Sequence, residues 1–289
     1  MAQQPTTHRV ATVPKPRRAR FRFGDDRSYG KYFVNDDIVF SHVVATLSGL
    51  FPPAEDSIIR AVRRVADDIT DPLLKKQVAG LIGQESTHAQ EHRRLNEKLV
   101  EMGYPMIRGS DSKSSGERQI RGGRRRARVL LQMVALAEHF NAVVARRVLC
   151  SDEIQAIPGD PEVWHLLNWH AMEELEHKSV AFDVYQAVGG SERLRIAIAV
   201  MAGLIELPSL LVFVLMSLGR DPVARRQPRR LAREAYALYR GPLGRGFLSE
   251  MAKYLRPGFH PADIDTNELE ERWRQELFGA RGVLTDRLK

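Results

Sequence analysis

The residues that could do chemistry fall into four groups along the chain: Glu55, then Glu85, His88 and His92, then Glu138, then His170, Glu174 and His177. Glu85-x-x-His88 sets a carboxylate and an imidazole one helical turn apart, and His92 follows four residues later. At about 100° per residue the three side chains point within about 60° of one another. His170-x-x-x-Glu174-x-x-His177 makes a second stripe of the same kind, again within about 60°. Carboxylates bring negative charge and can bridge two cations, and imidazoles bring borderline-soft nitrogen. Four glutamates supply about four negative charges against two divalent ions, a near balance that lowers the cost of burying charge. The donor set therefore implies two metal ions held by Glu55, Glu85, His88, His92, Glu138, His170, Glu174 and His177. No catalytic side chain is assigned beyond these ligands.

Four helices must position such a set. Bundles that bind two irons or two manganese ions take a Glu-x-x-His pair from each of two helices and one glutamate from each of the others. Glu55 precedes the first pair and Glu138 the second. With a turn near Asp71, Glu55 lies 16 residues before it and Glu85 14 after it. In an antiparallel hairpin rising about 1.5 Å per residue, the two stand within about one turn of the same height. Glu138 lies 12 residues before Cys150, and Glu174 lies 13 after Pro161, so the second hairpin matches too.

Helical periodicity dominates the rest, and no strand alternation bounded by hairpin turns is found. The pattern predicts an all-α fold: a four-helix bundle with an additional apolar helical hairpin and C-terminal helices. A first apolar helix is expected over 36–50, stopped by Pro52-Pro53. Bundle helices are expected over about 54–69, 73–102, 124–150 and 162–188, an apolar segment over 196–218, and an amphipathic segment over 266–278. Residues 31–280 form one domain in this reading. Residues 1–30, polar and proline-containing, form a mobile basic tail, and 109–123 a flexible linker. Glu91, Glu97, Glu173 and Glu176 are expected on solvated faces, and His42, His139, His165 and His260 as packing or surface groups.

The 289 residues are 43% hydrophobic, enough for a real core. Cys150 is the sole cysteine, which excludes an internal disulfide framework and a cysteine-based zinc site and suits a cytoplasmic protein. The net charge of +8 comes from arginine clusters around 17–22, 121–128 and 225–230. Without a nucleic-acid motif beside them, these read as solvated patches rather than a nucleic-acid surface. The segment 196–218 is long enough to span a bilayer, but Glu206 and Pro208 weaken that reading. A buried hairpin, or one that forms an oligomer such as a homodimer, is preferred, with peripheral membrane contact through 196–218 and its flanking arginines as the second reading and a true span as the last.

At these residues the chain resembles a known family. LSGLFPPAED, QESTHAQEH, EHF, WHAMEELEHKSVAFDVY and YLRPGFHP are similar to segments of the bacterial family labelled predicted metal-dependent hydrolase, a ferritin-like group, over about 35–275. The His-x-x-x-Glu-x-x-His motif at 170–177 is also similar to the fourth-helix pattern of the di-iron arylamine N-oxygenases, where the extra histidine enriches one iron in nitrogen. Together they imply a metalloenzyme. The leading expectation is a pair of iron ions (or manganese, or one of each) oxidising a small apolar substrate with dioxygen and an unidentified electron donor. The second is a hydrolase using a metal-activated water, and the third is a non-catalytic metal-binding bundle.

Overall fold

The computed structural model describes residues 12–24, 30–105 and 123–288. Most of the expected linker and part of the expected tail (1–11 and 25–29) lie outside the described residues. Within them the chain is all-α, with no strand and only two isolated bridges, Ala19 to Leu288 and Val34 to Gly159. In chain order the helices are α1 (Ile38–Arg63), α2 (Pro72–Glu101), α3 (Arg124–Cys150), the single turn α4 (Asp152–Gln155), α5 (Pro161–His177), α6 (Val180–Ala187), α7 (Glu192–Arg220), α8 (Pro222–Arg225), α9 (Pro228–Arg240), α10 (Phe247–Met251) and α11 (Asn267–Phe278).

The helix starts follow local chemistry. Asp71 and Asp160 accept hydrogen bonds from the first free backbone N–H groups of α2 and α5, and Pro72 and Pro161 occupy the first helical position, where no N–H is needed. Asp37 caps α1 through the amide of Phe40. Asn35 and Asp36 stand at left-handed φ of 50° and 52°, which delays α1 until Ile38.

α1, α2, α3 and the α5–α6 pair form the bundle. Two apolar clusters close it along its axis. One gathers Val44, Leu95, Leu99, Leu149, Leu166 and Trp169, and the other gathers Ile58, Leu81, Leu131, Val180, Phe182 and Tyr254. On α1, α2 and α3 the candidate ligands fall in the stretch between the residues given to these two clusters, whereas on α5 His170 and Glu174 alternate with Trp169, Met172 and Leu175 of the first cluster and His177 follows them. Each large side chain fully buried there contributes about 1.5–3 kcal/mol, which offsets the cost of a polar layer between them.

The structure corrects four expectations. First, α1 runs unbroken through Pro52 and Pro53. A proline inside a helix lacks the N–H that would reach the carbonyl four residues back, here that of Ser48. The side-chain amide of Asn96 on α2 takes that carbonyl at 2.9 Å, so a neighbouring helix supplies the missing donor. Second, the expected helix 162–188 divides after His177 into α5 and α6, with Lys178 at the break drawn to Thr266 and Glu270.

Third, the apolar segment is one helix, α7, with Pro208 inside it, and not a buried hairpin. Only 17% of its most apolar window is buried.

Fourth, residues 12–24 are no loose tail. Phe21 is fully buried against Trp169, with ring centroids 5.5 Å apart, and Arg17 and Ala19 are buried beside it. The strap crosses α2 where two glycines leave room. A Cβ on Gly80 would sit 2.2 Å from the carbonyl oxygen of Pro14, and one on Gly83 would sit 2.3 Å from the Pro16 ring. Gly80→Ala is therefore expected to lift the strap, although alanine suits a helix better by about 1 kcal/mol. Trypsin should then cut among Arg17, Arg18 and Arg20 at least several-fold faster, with helix content unchanged. Unaltered cleavage would mean that the strap does not seat on this glycine.

Candidate metal centre

Seven of the eight expected ligands converge, from four helices. Glu55 comes from α1, Glu85 and His88 from α2, Glu138 from α3, and His170, Glu174 and His177 from α5. They make two groups, Glu55 with His88 and His170, and Glu85 with Glu138, Glu174 and His177; within each group the donor atoms lie within 4.8 Å of one another. All seven are buried.

Glu174 joins the groups. Its Oε1 lies 2.7 Å from His170 Nε2 and 3.9 Å from His88 Nδ1, while its Oε2 lies 3.2 Å from His177 Nε2. One carboxylate thus presents one oxygen to each half, as a bridge between two cations requires. Glu85 Oε1 stands similarly between His177 Nε2 at 3.1 Å and His88 Nδ1 at 3.9 Å.

The residues fit metal ions on a further observation. Both carboxylate oxygens of Glu55, Glu85 and Glu138, and Nδ1 of His88, are buried without a hydrogen-bond partner among the described residues. Glu85 and Glu138 come within 3.1 and 3.2 Å of His177 Nε2, but not in hydrogen-bonding geometry. An unsatisfied buried polar atom costs about 1–3 kcal/mol, and more if charged. Seven such atoms gathered in the two donor groups are expensive unless cations take them up.

The distal nitrogen of each ligand histidine is held, which selects the tautomer and aims the ring. His88 Nε2 lies 3.1 Å from Glu173 Oε2, leaving Nδ1 facing the site. Gln84 donates through Nε2 to Lys15 O and Glu176 Oε2, so its Oε1 accepts from His177 Nδ1 at 2.9 Å and His177 Nε2 is free to ligate.

His170 is set by a longer relay. Asn96 Nδ2 donates to Ser48 O, which turns Asn96 Oδ1 toward the Ser48 hydroxyl at 2.7 Å. The hydroxyl has one proton and gives it to Oδ1, so Ser48 Oγ accepts from His92 Nδ1 at 2.9 Å. His92 Nε2 then accepts from His170 Nδ1 at 2.7 Å, and His170 Nε2 faces Glu174. His92, expected as a ligand, therefore stands behind His170 with both ring nitrogens occupied, outside both donor groups. The amide that repairs the proline step in α1 also fixes a ligand's proton.

Two expected surface residues are structural parts of the site. Glu173 is fully buried, bonded to His88 and paired with Arg17 at 3.1 Å. Glu176 takes Arg17 at 2.7 Å and Arg274 at 3.0 Å. Glu91 is buried too, accepting from the Phe21 amide and from Arg94. Glu97 is exposed, as expected. His42 and His139 are buried packing groups, and His260 bonds Asp183 at 2.7 Å.

The electrostatics describe a site strained without cations. Burial raises Glu55 well above the usual carboxylate range, with Glu85 and Glu174 adding repulsion. Burial pushes Glu138 up to about 8 against the pull of His177, and Glu173 up to about 8 against Arg17. Burial, then repulsion from His170, holds His88 and His92 well below the usual imidazole value. At Glu174 burial is outweighed by His177 and His170, so that carboxyl stays low, and Glu138 and Glu174 keep His177 high despite its burial.

Glu138 and Glu173 keep a proton in the folded chain that the unfolded chain releases near the usual 4.5. Their contribution is complete below that value and lost as pH rises toward about 8. Glu174 has the opposite sign, and its contribution is lost only as pH falls through the acid range. Below about pH 6.5 the depressed His88 and His92 oppose this trend, since the unfolded chain protonates them more readily. The metal-free protein should therefore lose stability between about pH 6.5 and 8, while metal affinity should rise over the same window as protons are displaced. Urea unfolding at both ends of the window, with and without divalent metal, checks this; a metal-free protein that gains stability toward pH 8 would contradict it.

An apolar cavity of about 110 Å³ ends on the centre. Phe40, Val43, Leu47, Val144 and Leu167 are among its walls, and His170 and Glu174 form its polar end. Asn141 lines it as well and donates to Glu174 Oε1 at 3.3 Å. Asn141 lies one turn beyond Glu138, a spacing that could have marked it in the sequence.

No curated protein and no solved structure matches the chain, so the ferritin-like and arylamine N-oxygenase likenesses gain no support from a relative. A family comparison does match, over residues 15–265, and its description fits the hydrolytic expectation better than the oxidative one. On that match, which spans most of the strap, all four ligand helices and the segment through Phe259 and His260, the chain belongs to the predicted metal-dependent hydrolase family.

Proposed function

We propose that the protein is a dinuclear metal-dependent hydrolase that cleaves small esters carrying an apolar chain. The observation that carries this reading is the apolar cavity whose polar end is His170 and Glu174. Substrate sites are mostly apolar with a few polar groups at the reacting end, and this cavity has that form. When bound, the cations supply Lewis acidity and an acidified water. The chain's own residues do the rest. The walls around Leu47 and Val144 hold the apolar chain and exclude bulk water. Asn141 orients Glu174, and its amide can donate to a substrate oxygen at the cavity's polar end. Hydrolysis joins the water oxygen to the acyl carbon, breaks the ester C–O bond and delivers a proton to the leaving alkoxide.

The test is hydrolysis of a series of p-nitrophenyl esters of rising chain length by the full chain loaded with manganese, iron or zinc. Cleavage should require metal and stop with chelator. Val144→Trp, which fills the cavity, should shift the preference to shorter chains, with a drop of roughly tenfold or more on longer ones. Absence of cleavage with every metal, together with dioxygen uptake by the reduced iron-loaded protein, would replace this reading with the oxidative one.

A further inference from the structure

The geometry points to α7 and the α8–α9 arginines as a docking surface for an anionic phospholipid bilayer. Along α7, Val200, Met201, Leu204, Ile205, Leu211, Val212, Leu215 and Met216 are exposed, Leu204 at 69%. At about 100° per residue they lie within a sector of about 160°, and at about 1.5 Å per residue they extend about 24 Å. No charge falls within that sector between Val200 and Met216. Glu206, the one charge between Arg195 and Arg220, lies on the other side of the helix. An exposed apolar strip of this size on a water-soluble body marks an interaction site.

The arginines identify the occupant. Arg225, Arg226, Arg229 and Arg233 are exposed, and none makes an ion pair among the described residues. They follow the C-terminal end of α7, where Leu231 of α9 packs with Val214 and Leu218. Exposed Tyr236 and Tyr239 accompany them. Cationic side chains and tyrosines beside an apolar helical face are the composition of a helix lying in the lipid–water interface. A second copy of this chain would bring the same unpaired positive charge against itself.

The helix lies along the surface rather than across it, because both of its ends are tied to the same body. Arg195 donates to the carbonyls of Tyr254 and Arg256 near one end. Near the other, Ser217 bonds His42 at 2.7 Å, and Asp221, just past the helix, bonds His42 and Lys31. The two ends therefore cannot reach opposite faces of a bilayer. Val43, a wall of the cavity, also packs against the apolar cluster that holds Val214 and Leu218 of α7. This places the body-facing side of α7 beside the proposed substrate path, although the docking itself does not depend on which reaction the centre performs.

Co-sedimentation of the full chain with vesicles tests this. One set is phosphatidylcholine, and the other is phosphatidylcholine mixed with phosphatidylglycerol. Binding is expected to the anionic set and to weaken with salt. Leu204→Glu with Leu211→Glu should weaken it by roughly tenfold or more. Arg225→Gln, Arg229→Gln and Arg233→Gln together should weaken it comparably, at up to about fivefold per arginine. The substituted side chains are exposed, so circular dichroism should stay that of the parent. Absence of sedimentation, equal binding to both sets, or binding indifferent to either group of substitutions would overturn the proposal. So would a lipid-free dimer that the leucine substitutions dissociate.

Discussion

Glu174→Gln is expected to empty both halves of the metal centre at once. Glutamine keeps the size of the side chain but gives up its charge and one acceptor, and Glu174 is the carboxylate that faces His170 and His88 with one oxygen and His177 with the other. Metal content should fall from two ions per chain to near none. The thermal stabilisation that metal gives the parent, about 2.7 kcal/mol when free metal is a hundredfold above its dissociation constant, should vanish with it. Glu97→Gln, on an exposed position of α2, serves as the silent control. Retention of one ion per chain by Glu174→Gln would show that the halves are independent and that Glu174 is no bridge.

Glu173→Gln is expected to have the next largest effect, although the neighbouring glutamate never faces the cations. Glu173 holds His88 Nε2 from behind and is itself held by Arg17 of the strap. Loss of such a partner typically lowers metal affinity 10–100-fold. Titration with a metallochromic competitor should show that weakening, and trypsin should reach the strap sooner because Arg17 keeps only Glu176. An affinity within about twofold of the parent would mean that the ring of His88 is fixed by its edge-on contact with Trp169 alone, at 4.8 Å.

The contrast between these two residues shows what the sequence could and could not reveal. The phase of α5 separates Glu174 from Glu173 by about 100°, which turns Glu174 toward the donor groups. It says nothing of what covers the adjoining face. That face would be solvated in a bare bundle, but residues 12–24 lie over it, and the signal for the strap was spread over Pro14, Pro16, Gly80 and Gly83 in two distant segments. Helix lengths and level-matching arithmetic located α2, α3 and the ligand heights, because these depend only on rise per residue and hairpin turns.

The proline pair in α1 misled for a related reason. Local rules end a helix at Pro52-Pro53, and the long-range donor Asn96 replaces the N–H that Pro52 lacks. Asn96 itself was within reach, since it extends the stripe of Glu85, His88 and His92 by four residues. A polar side chain in the next position of a buried stripe needs a buried partner, and Ser48 is that partner. His92 fell on the ligand stripe by phase alone, while its distance from the centre is set by His170 on another helix.

Anomalous diffraction from crystals of the metal-loaded protein tests the central claim most directly. Two strong peaks are expected per chain. One should lie among Glu55, His88 and His170, the other among Glu85, Glu138 and His177, with an oxygen of Glu174 at each and ligand distances of about 2–2.3 Å. A single peak, or peaks only at surface histidines with the bundle interior dark, would contradict it.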